Sequence, residues 1–288
     1  MKKTVLIAII SVASLTLLAV FQYRQYNDGL LHVVFCNVGQ GDAIFIRSPQ
    51  GKTILFDAGP NDSVLSCLSD HLPFWQRTLS LMILSHPHAD HFRGLFSLIE
   101  RYTIGEFGSE ELLNNISEYK AIEEMISNKH IRKRRLLRGD NYRFSDRTQI
   151  RVLGPTQEFL TSASPKGSIG ERSEFASLVI MISYENFSLL LTGDTQNEQL
   201  LDDILASNSS TIDVFQIPHH GSATGLTPKI VQQLDPKLAV VSVGKNHYGH
   251  PSPKTIEILR EKDIRILRTD KDGDVEIVSD GKKWWIVN

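Results

Sequence analysis

The chain is poor in cysteine, in net charge and in internal repetition, and each shortage removes a class of protein. Two cysteines, Cys36 and Cys67, are too few for a disulfide framework or a cysteine-rich metal site. Cys36 sits in an apolar run that reads as a strand, so both cysteines are expected to be ordinary packing residues. One disulfide between them is the alternative if the domain lies in an oxidising compartment. A net charge of −2 excludes a generally polycationic nucleic-acid binder, because counterion release needs many Lys and Arg contacts with phosphate. No segment recurs at a fixed period, which removes solenoids and propellers. What remains, 288 residues of which 41% are hydrophobic, suits one large α/β domain or two small ones.

Long apolar runs are scarce too. The one that exists, from Thr4 to Phe21, follows Lys2 and Lys3 and would reach about 27 Å as a helix, just enough to cross a bilayer. Positive charge ahead of the run predicts an N-terminus in the cytoplasm and everything after Arg24 on the far side. No clean small-x-small cleavage site lies between Leu15 and Tyr26, which favours an uncleaved anchor over a signal peptide. Residues 1–24 are therefore assigned to an anchor or signal, 25–29 to a linker and 30–288 to a single extracytoplasmic domain. That domain would be secreted or periplasmic if the segment were removed.

Beyond the linker, Leu30 to Phe35 and Ala43 to Arg47 read as paired strands around the glycine loop Asn37-Val38-Gly39-Gln40-Gly41-Asp42, and Thr53 to Phe56 as a third strand ending at Asp57-Ala58-Gly59. A helix is expected over Ser63 to His71 and a buried strand over Leu79 to Leu84. Immediately after Ser85 stands His86-Pro87-His88-Ala89-Asp90-His91, and from Asp90 the apolar spacing becomes helical. Further strands at Gln149 to Leu153, Ser177 to Ile182, Phe187 to Leu191, Ile212 to Ile217 and Leu238 to Val243 alternate with helices at Asn197 to Ala206, Pro228 to Leu234 and Ser252 to Lys262, and Ile116 to Asn128 reads as a helix in the first half. Strands followed by strand–helix alternation occur in both halves, which predicts two sheets with helices outside.

Four ligand side chains crowd into the cluster. His86 and His88, separated by one residue in extended chain, point to the same side and can share one divalent ion. Asp90 and His91 then turn toward a second ion as the helix begins. Unpaired imidazoles and a carboxylate so close together would be costly to bury without metal.

His-x-His-x-Asp-His after an apolar strand resembles the signature of the metallo-β-lactamase superfamily. Val38-Gly39-Gln40-Gly41-Asp42-Ala43, Asp57-Ala58-Gly59, Ser85 to Gly94, Leu191-Thr192-Gly193-Asp194 and Pro218-His219-His220-Gly221-Ser222 resemble, in this order, the hydrolase domain of ComEC/Rec2 competence proteins. The resemblance spans Leu30 to the C-terminus and implies an αββα sandwich of two mixed sheets with outer helices, preceded by one hydrophobic helix. It implies that Asp194 bridges two divalent ions, Zn²⁺ or Mn²⁺, and that one of His219 and His220 completes the second site while the other stands near the substrate. Asp57 matches a position that orients a ligand. Asp90, Asp194 and His220 become the catalytic candidates, with Asn37, Asp42 and His250 as supporting ones and Ser222 and Lys245 as weaker phosphate contacts.

The chain departs from the pattern in two places. Asn37 stands where relatives commonly have aspartate, and the usual third histidine of the first metal has no counterpart except His130. Glu174, in Glu174-Phe175-Ala176-Ser177, is an alternative oxygen ligand that would shift preference from Zn²⁺ toward Mn²⁺.

Basic residues gather in one stretch, where Arg132, Lys133, Arg134, Arg135, Arg138, Arg143, Arg147 and Arg151 are opposed only by Asp140 and Asp146. This is either an ordinary solvated face or a surface for a phosphate backbone. The resemblance implies hydrolysis by water activated between two metals, with DNA outside the cytoplasm as substrate and a separate DNA-channel protein as partner. The alternatives are a phosphodiesterase for a small or cell-wall phosphoester, and a non-catalytic anchored binding or assembly module.

Overall fold

The computed structural model describes residues 2–169, 176–207 and 211–287. Helix α1 (Lys2–Tyr26) continues past the expected end of the segment at residue 24, and its apolar window is not buried among the described residues. Its exit is built into the domain. The Arg47 guanidinium lies 4.9 Å from the Tyr26 ring centroid, donates to the Tyr26 carbonyl and pairs with Asp28 at 3.2 Å.

One sheet has eight strands. β1 (Leu31–Phe35), β2 (Ile44–Arg47) and β3 (Thr53–Phe56) form an antiparallel meander, and β5 (Leu81–Ile83), β7 (Glu106–Ser109) and β8 (Arg132–Arg135) follow β3 in parallel. β16 (Val275–Ser279) and β17 (Trp284–Val287) extend the other side next to β1. The second sheet runs β15 (Arg265–Arg268), β14 (Leu238–Val241), β13 (Val214–Gln216), β12 (Phe187–Leu191), β11 (Val179–Tyr184), β10 (Thr148–Gly154) and β9 (Asn141–Arg143), with β12 to β15 parallel. A small parallel pair, β4 (Thr78–Leu79) and β6 (Thr103–Ile104), stands apart.

Alternation along the strands explains the layers. Leu31, Val33 and Phe35 of β1 point between the sheets, where they meet Ile180, Ile182, Leu189 and Leu191 of the second sheet. Val34 and Cys36 point outward, against α2 (Ser63–His71), α4 (Leu95–Arg101) and α5 (Ser117–Asn128), which contribute Leu68, Leu98 and Ile122. On the far face α7 (Asn197–Ala206), α8 (Pro228–Leu234) and α9 (Pro253–Arg260) bury Leu200, Ile230 and Leu259 against Phe215 and Val241. The result is the expected αββα sandwich. Short helices α3 (Ala89–Phe92), α6 (Gln157–Ala163) and α10 (Thr269–Asp272) cap loops.

Two sequence expectations change. Cys36 and Cys67 are not free packing residues but a disulfide, with Cα atoms 5.8 Å apart, because the end of β1 lies under α2. The basic run Arg132 to Arg135 forms β8, an edge strand of the first sheet. Charged side chains are a common device for keeping such an edge from pairing with another chain.

Candidate metal centre

Parallel strands deliver their C-terminal ends to one place. β3 leads to Asp57, β5 to Ser85 and His86, β12 to Asp194, β13 to His219 and His220, and β14 to Ser242, so the two sheets pour their loops into one crevice. Gly41 makes the closure possible at one corner. Its φ is +147°, and a Cβ there would stand 2.2 Å from the Asp90 carbonyl.

Asp57 organises the histidine loop from below. Held in the left-handed region at φ 59°, it accepts from the Ser85 amide and hydroxyl, both at 2.7 Å, and lies 2.8 Å from His91 Nδ1. A carboxylate can only accept here, so His91 carries a proton on Nδ1 and turns Nε2, the nitrogen left to act as a ligand, into the crevice. His86 is fully buried, 3.0 Å from Ser85 Oγ through Nδ1, with its ring 4.4 Å from His88 and 4.3 Å from His91.

Asp194 sits in the middle, its amide donating to Ser177 Oγ at 3.2 Å. Its Oδ2 lies 3.7 Å from Nε2 of both His86 and His219, while Oδ1 lies 3.3 Å from His91 Nε2 and 3.5 Å from His220 Nε2. His220 Nε2 is also 3.4 Å from Asp90, and its Nδ1 donates to the Ser242 carbonyl at 3.0 Å. His219 and His220 both adopt left-handed backbone, at φ 50° and 54°. Such residues cost about 1–3 kcal/mol each and persist where surroundings impose them, often at functional sites.

Two candidate ligand sets meet in the crevice among the described residues, His86 with His88 and Asp194, and Asp90 with His91, Asp194 and His220. Among the described residues, the buried Nε2 atoms of His86, His91 and His220 and Oδ1 of Asp194 have no hydrogen-bond partner. Buried polar atoms are rarely left so. Four of them converging on one crevice fit a pair of divalent cations.

The electrostatics agree with that arrangement. Burial works to lower His91 and His220, but Asp194 with Asp57 and Asp90 raises His91 well above its usual value, and Asp194, Asp42 and Asp90 carry His220 to about 9. For Asp194 burial works upward and is outweighed by His91 and His220, which hold it well below the carboxylate range. His86 is depressed, by burial and by His91. Asp42 is pushed up to about 6 by burial. Without cations, protons on His91 and His220 would offset the carboxylate charge of the crevice.

The remaining sequence candidates divide. Asp42 is buried beside the second set, 3.7 Å from His220 and held by Gln216 at 2.7 Å. His250 faces His219 with ring centroids 5.4 Å apart. Asn37 is exposed and its backbone N–H donates to Asp274. His130 is exposed ahead of β8, at the opposite end of that sheet from the crevice. Glu174 lies outside the described residues. Arg132 pairs with Glu106 at 3.1 Å, Lys133 with Glu123 at 2.7 Å, Arg134 with Asp140 at 3.4 Å and Arg135 with Glu111 at 3.8 Å. Arg138 bridges Asp202 and Asp203, at 2.9 and 2.6 Å. Sequence reasoning gave no role to Gln216, which spans Asp42 and Thr192, nor to Gln196, whose amide nitrogen lies 2.8 Å from His219 Nδ1. Isolated glutamines carry no local signal. Ser85, directly before the cluster, did.

The family model of the metallo-beta-lactamase superfamily matches residues 36–245, from just after β1 to just past β14. The chain belongs to that superfamily. Among its relatives, ComE operon protein 3 of Bacillus subtilis is 29% identical over 264 residues, 83% of this chain and 32% of that protein. Recombination protein 2 of Haemophilus influenzae is 28% identical over 262 residues, 88% of this chain and 30% of its own length. The chain thus spans about a third of the length of these curated relatives. The metallo-beta-lactamase fold protein YhfI from Bacillus subtilis superposes with a TM-score of 0.58 at 12% identity, over 85% of this chain and 99% of that one.

Proposed function

We propose that the chain is a dinuclear metal-dependent phosphodiesterase, working outside the cytoplasm on DNA and held to the membrane by α1. The observation that carries this reading is the division of Asp194, whose two oxygens face separate histidine sets. His86, His88 and Asp194 would hold one ion, and Asp90, His91, Asp194 and His220 the other. A bound divalent pair supplies an acidified water and neutralises charge at a phosphoryl group. The protein's own part is orientation. Asp57 and Ser242 fix the ring nitrogens of His91 and His220. An amide nitrogen can only donate, so with Gln196 against its Nδ1, His219 keeps a proton on Nε2 and directs it into the crevice, toward a phosphoryl oxygen or a leaving group. The choice of DNA rests on similarity to competence proteins and on the basic edge strand β8.

A second reading, a small or cell-wall phosphoester, is favoured by the pairing of Arg132, Lys133, Arg134, Arg135 and Arg138 with carboxylates, which offsets charge a DNA backbone would need. Zn²⁺- or Mn²⁺-loaded full chain incubated with single-stranded DNA, duplex DNA and bis-p-nitrophenyl phosphate separates the two. DNA cleavage with a steep salt dependence supports the first, and turnover of the small ester alone supports the second. Bound metal without any cleavage would overturn both.

A further inference from the structure

Away from the crevice, the loop between α2 and β4 carries Phe74 and Trp75 exposed to solvent, 73% and 40% accessible, with rings edge-to-face at 4.9 Å. Burying such rings is ordinarily a large part of folding, so an exposed adjacent pair on a domain with a filled core calls for an external apolar phase.

The loop's position says which phase. Trp75 lines an apolar groove of about 570 Å³ together with Val12, Leu15, Ala19, Val20 and Tyr23 of α1. The loop therefore stands alongside the second half of the apolar helix, not merely at its exit. A bilayer that holds Val12 to Val20 in its hydrocarbon has to reach Trp75 as well. Amphipathic aromatic rings are favoured at that depth, where an apolar body meets the headgroup layer. Arg24 and Arg77, both exposed, flank the apolar residues and suit the headgroup layer as interfacial anchors.

We propose that Phe74 and Trp75 form a second membrane contact, inserted into the outer face of the bilayer that α1 crosses. This rests on the reading of α1 as a retained anchor. Two attachment points, unlike one helix on a linker, fix the tilt of the domain. β1 starts at the helix exit, β3 and β5 start beside Thr78 to Ser80, which follow this loop, and all three end at the crevice. The metal centre is then held facing away from the lipid, open to a long substrate approaching from outside.

The full chain contains three tryptophans, so the difference between wild type and Trp75→Phe isolates the fluorescence of Trp75. Reconstituted in nanodiscs with lipids brominated near the headgroup, wild type should be quenched at least twofold more strongly than Trp75→Phe, and the Trp75 component should resist aqueous acrylamide. Quenching of that component by acrylamide and not by brominated lipid would overturn the proposal. Protection from both quenchers would place protein, such as a second copy of the chain, over the loop and overturn it equally. The reconstituted chain retains α1 in any case. Whether cells keep it is read separately, from the N-terminal peptide in the membrane fraction, so a failed anchor reading and a failed loop reading are distinct results.

Discussion

His91 Nδ1 lies 2.8 Å from Asp57 Oδ2, and this buried contact sets the direction in which the histidine's other nitrogen faces. Partners of this kind typically change metal affinity by about 10–100-fold when altered. Asp57→Asn should weaken the second ion by that range while the first set, His86, His88 and Asp194, binds normally. Titration calorimetry with Zn²⁺ or Mn²⁺ reads both sites, and near-UV circular dichroism checks the fold. An unchanged second affinity would remove Asp57 from its orienting role.

The adjacent histidines should behave differently. His220→Ala removes a group that faces both Asp90 and Asp194, so metal content should drop from two ions toward one. His219→Ala should keep both ions and lower kcat by about 10²-fold, the lower range for a lost proton donor. Elemental analysis beside steady-state kinetics makes the comparison, and equal metal loss in both variants would contradict the assignment.

In the metal-free chain, stability should depend on pH through the same histidines. His220 rises from 6.5 to about 9 in the folded state, since Asp194, Asp42 and Asp90 outweigh its burial. A folded pKa above the unfolded one stabilises fully below about pH 6.5 and is lost as pH rises through about 9. His91 is shifted in the same direction. Asp42, raised from 3.8 to about 6, has the same sign in a lower window. With EDTA, Tm should fall by about several degrees between pH 6.5 and 9, whereas with Zn²⁺ the curve should be flatter. A flat curve in EDTA would refute the charged state of the empty crevice.

Metal uptake must then expel those protons. At pH 7.5 calorimetry in buffers of different ionisation enthalpy should show net proton release, from His91 and His220, because ligating imidazole is neutral. Binding without release would mean that these nitrogens are already unprotonated.

The Cys36–Cys67 bridge closes a separation of 31 residues. By the chain-entropy relation such a loop stabilises by about 3–4 kcal/mol. Cys36→Ala/Cys67→Ala should lower Tm accordingly, and protein made in a reducing cytoplasm should show free thiols and the same deficit. Equal stability with and without the bridge would sink the expectation. A disulfide here also agrees with a domain on the oxidising side of a membrane.

Much of this was legible from residue order because it depends on neighbours. β3, α2, β12, α7 and α8 run over the spans that apolar period, turn residues and caps indicate, Thr227 capping α8 through Ile230 N. The spacing of His86, His88, Asp90 and His91 likewise contains its own geometry, since extended chain followed by a helical turn splits four side chains into two directions. Other features depend on residues far apart in the chain. The disulfide required the end of β1 to lie under α2. The basic run seemed opposed only by Asp140 and Asp146 until folding brought Glu106, Glu111, Glu123, Asp202 and Asp203 beside it. The difference between His219 and His220 is decided by two left-handed residues beneath one carboxylate, whose oxygens look in opposite directions. Sequence by itself determined the kind of candidate ligands and the strands that end in them. Their pairing, protonation and charge balance came from the tertiary structure alone, because hydrogen bonding and electrostatic coupling follow distance in space and not along the chain.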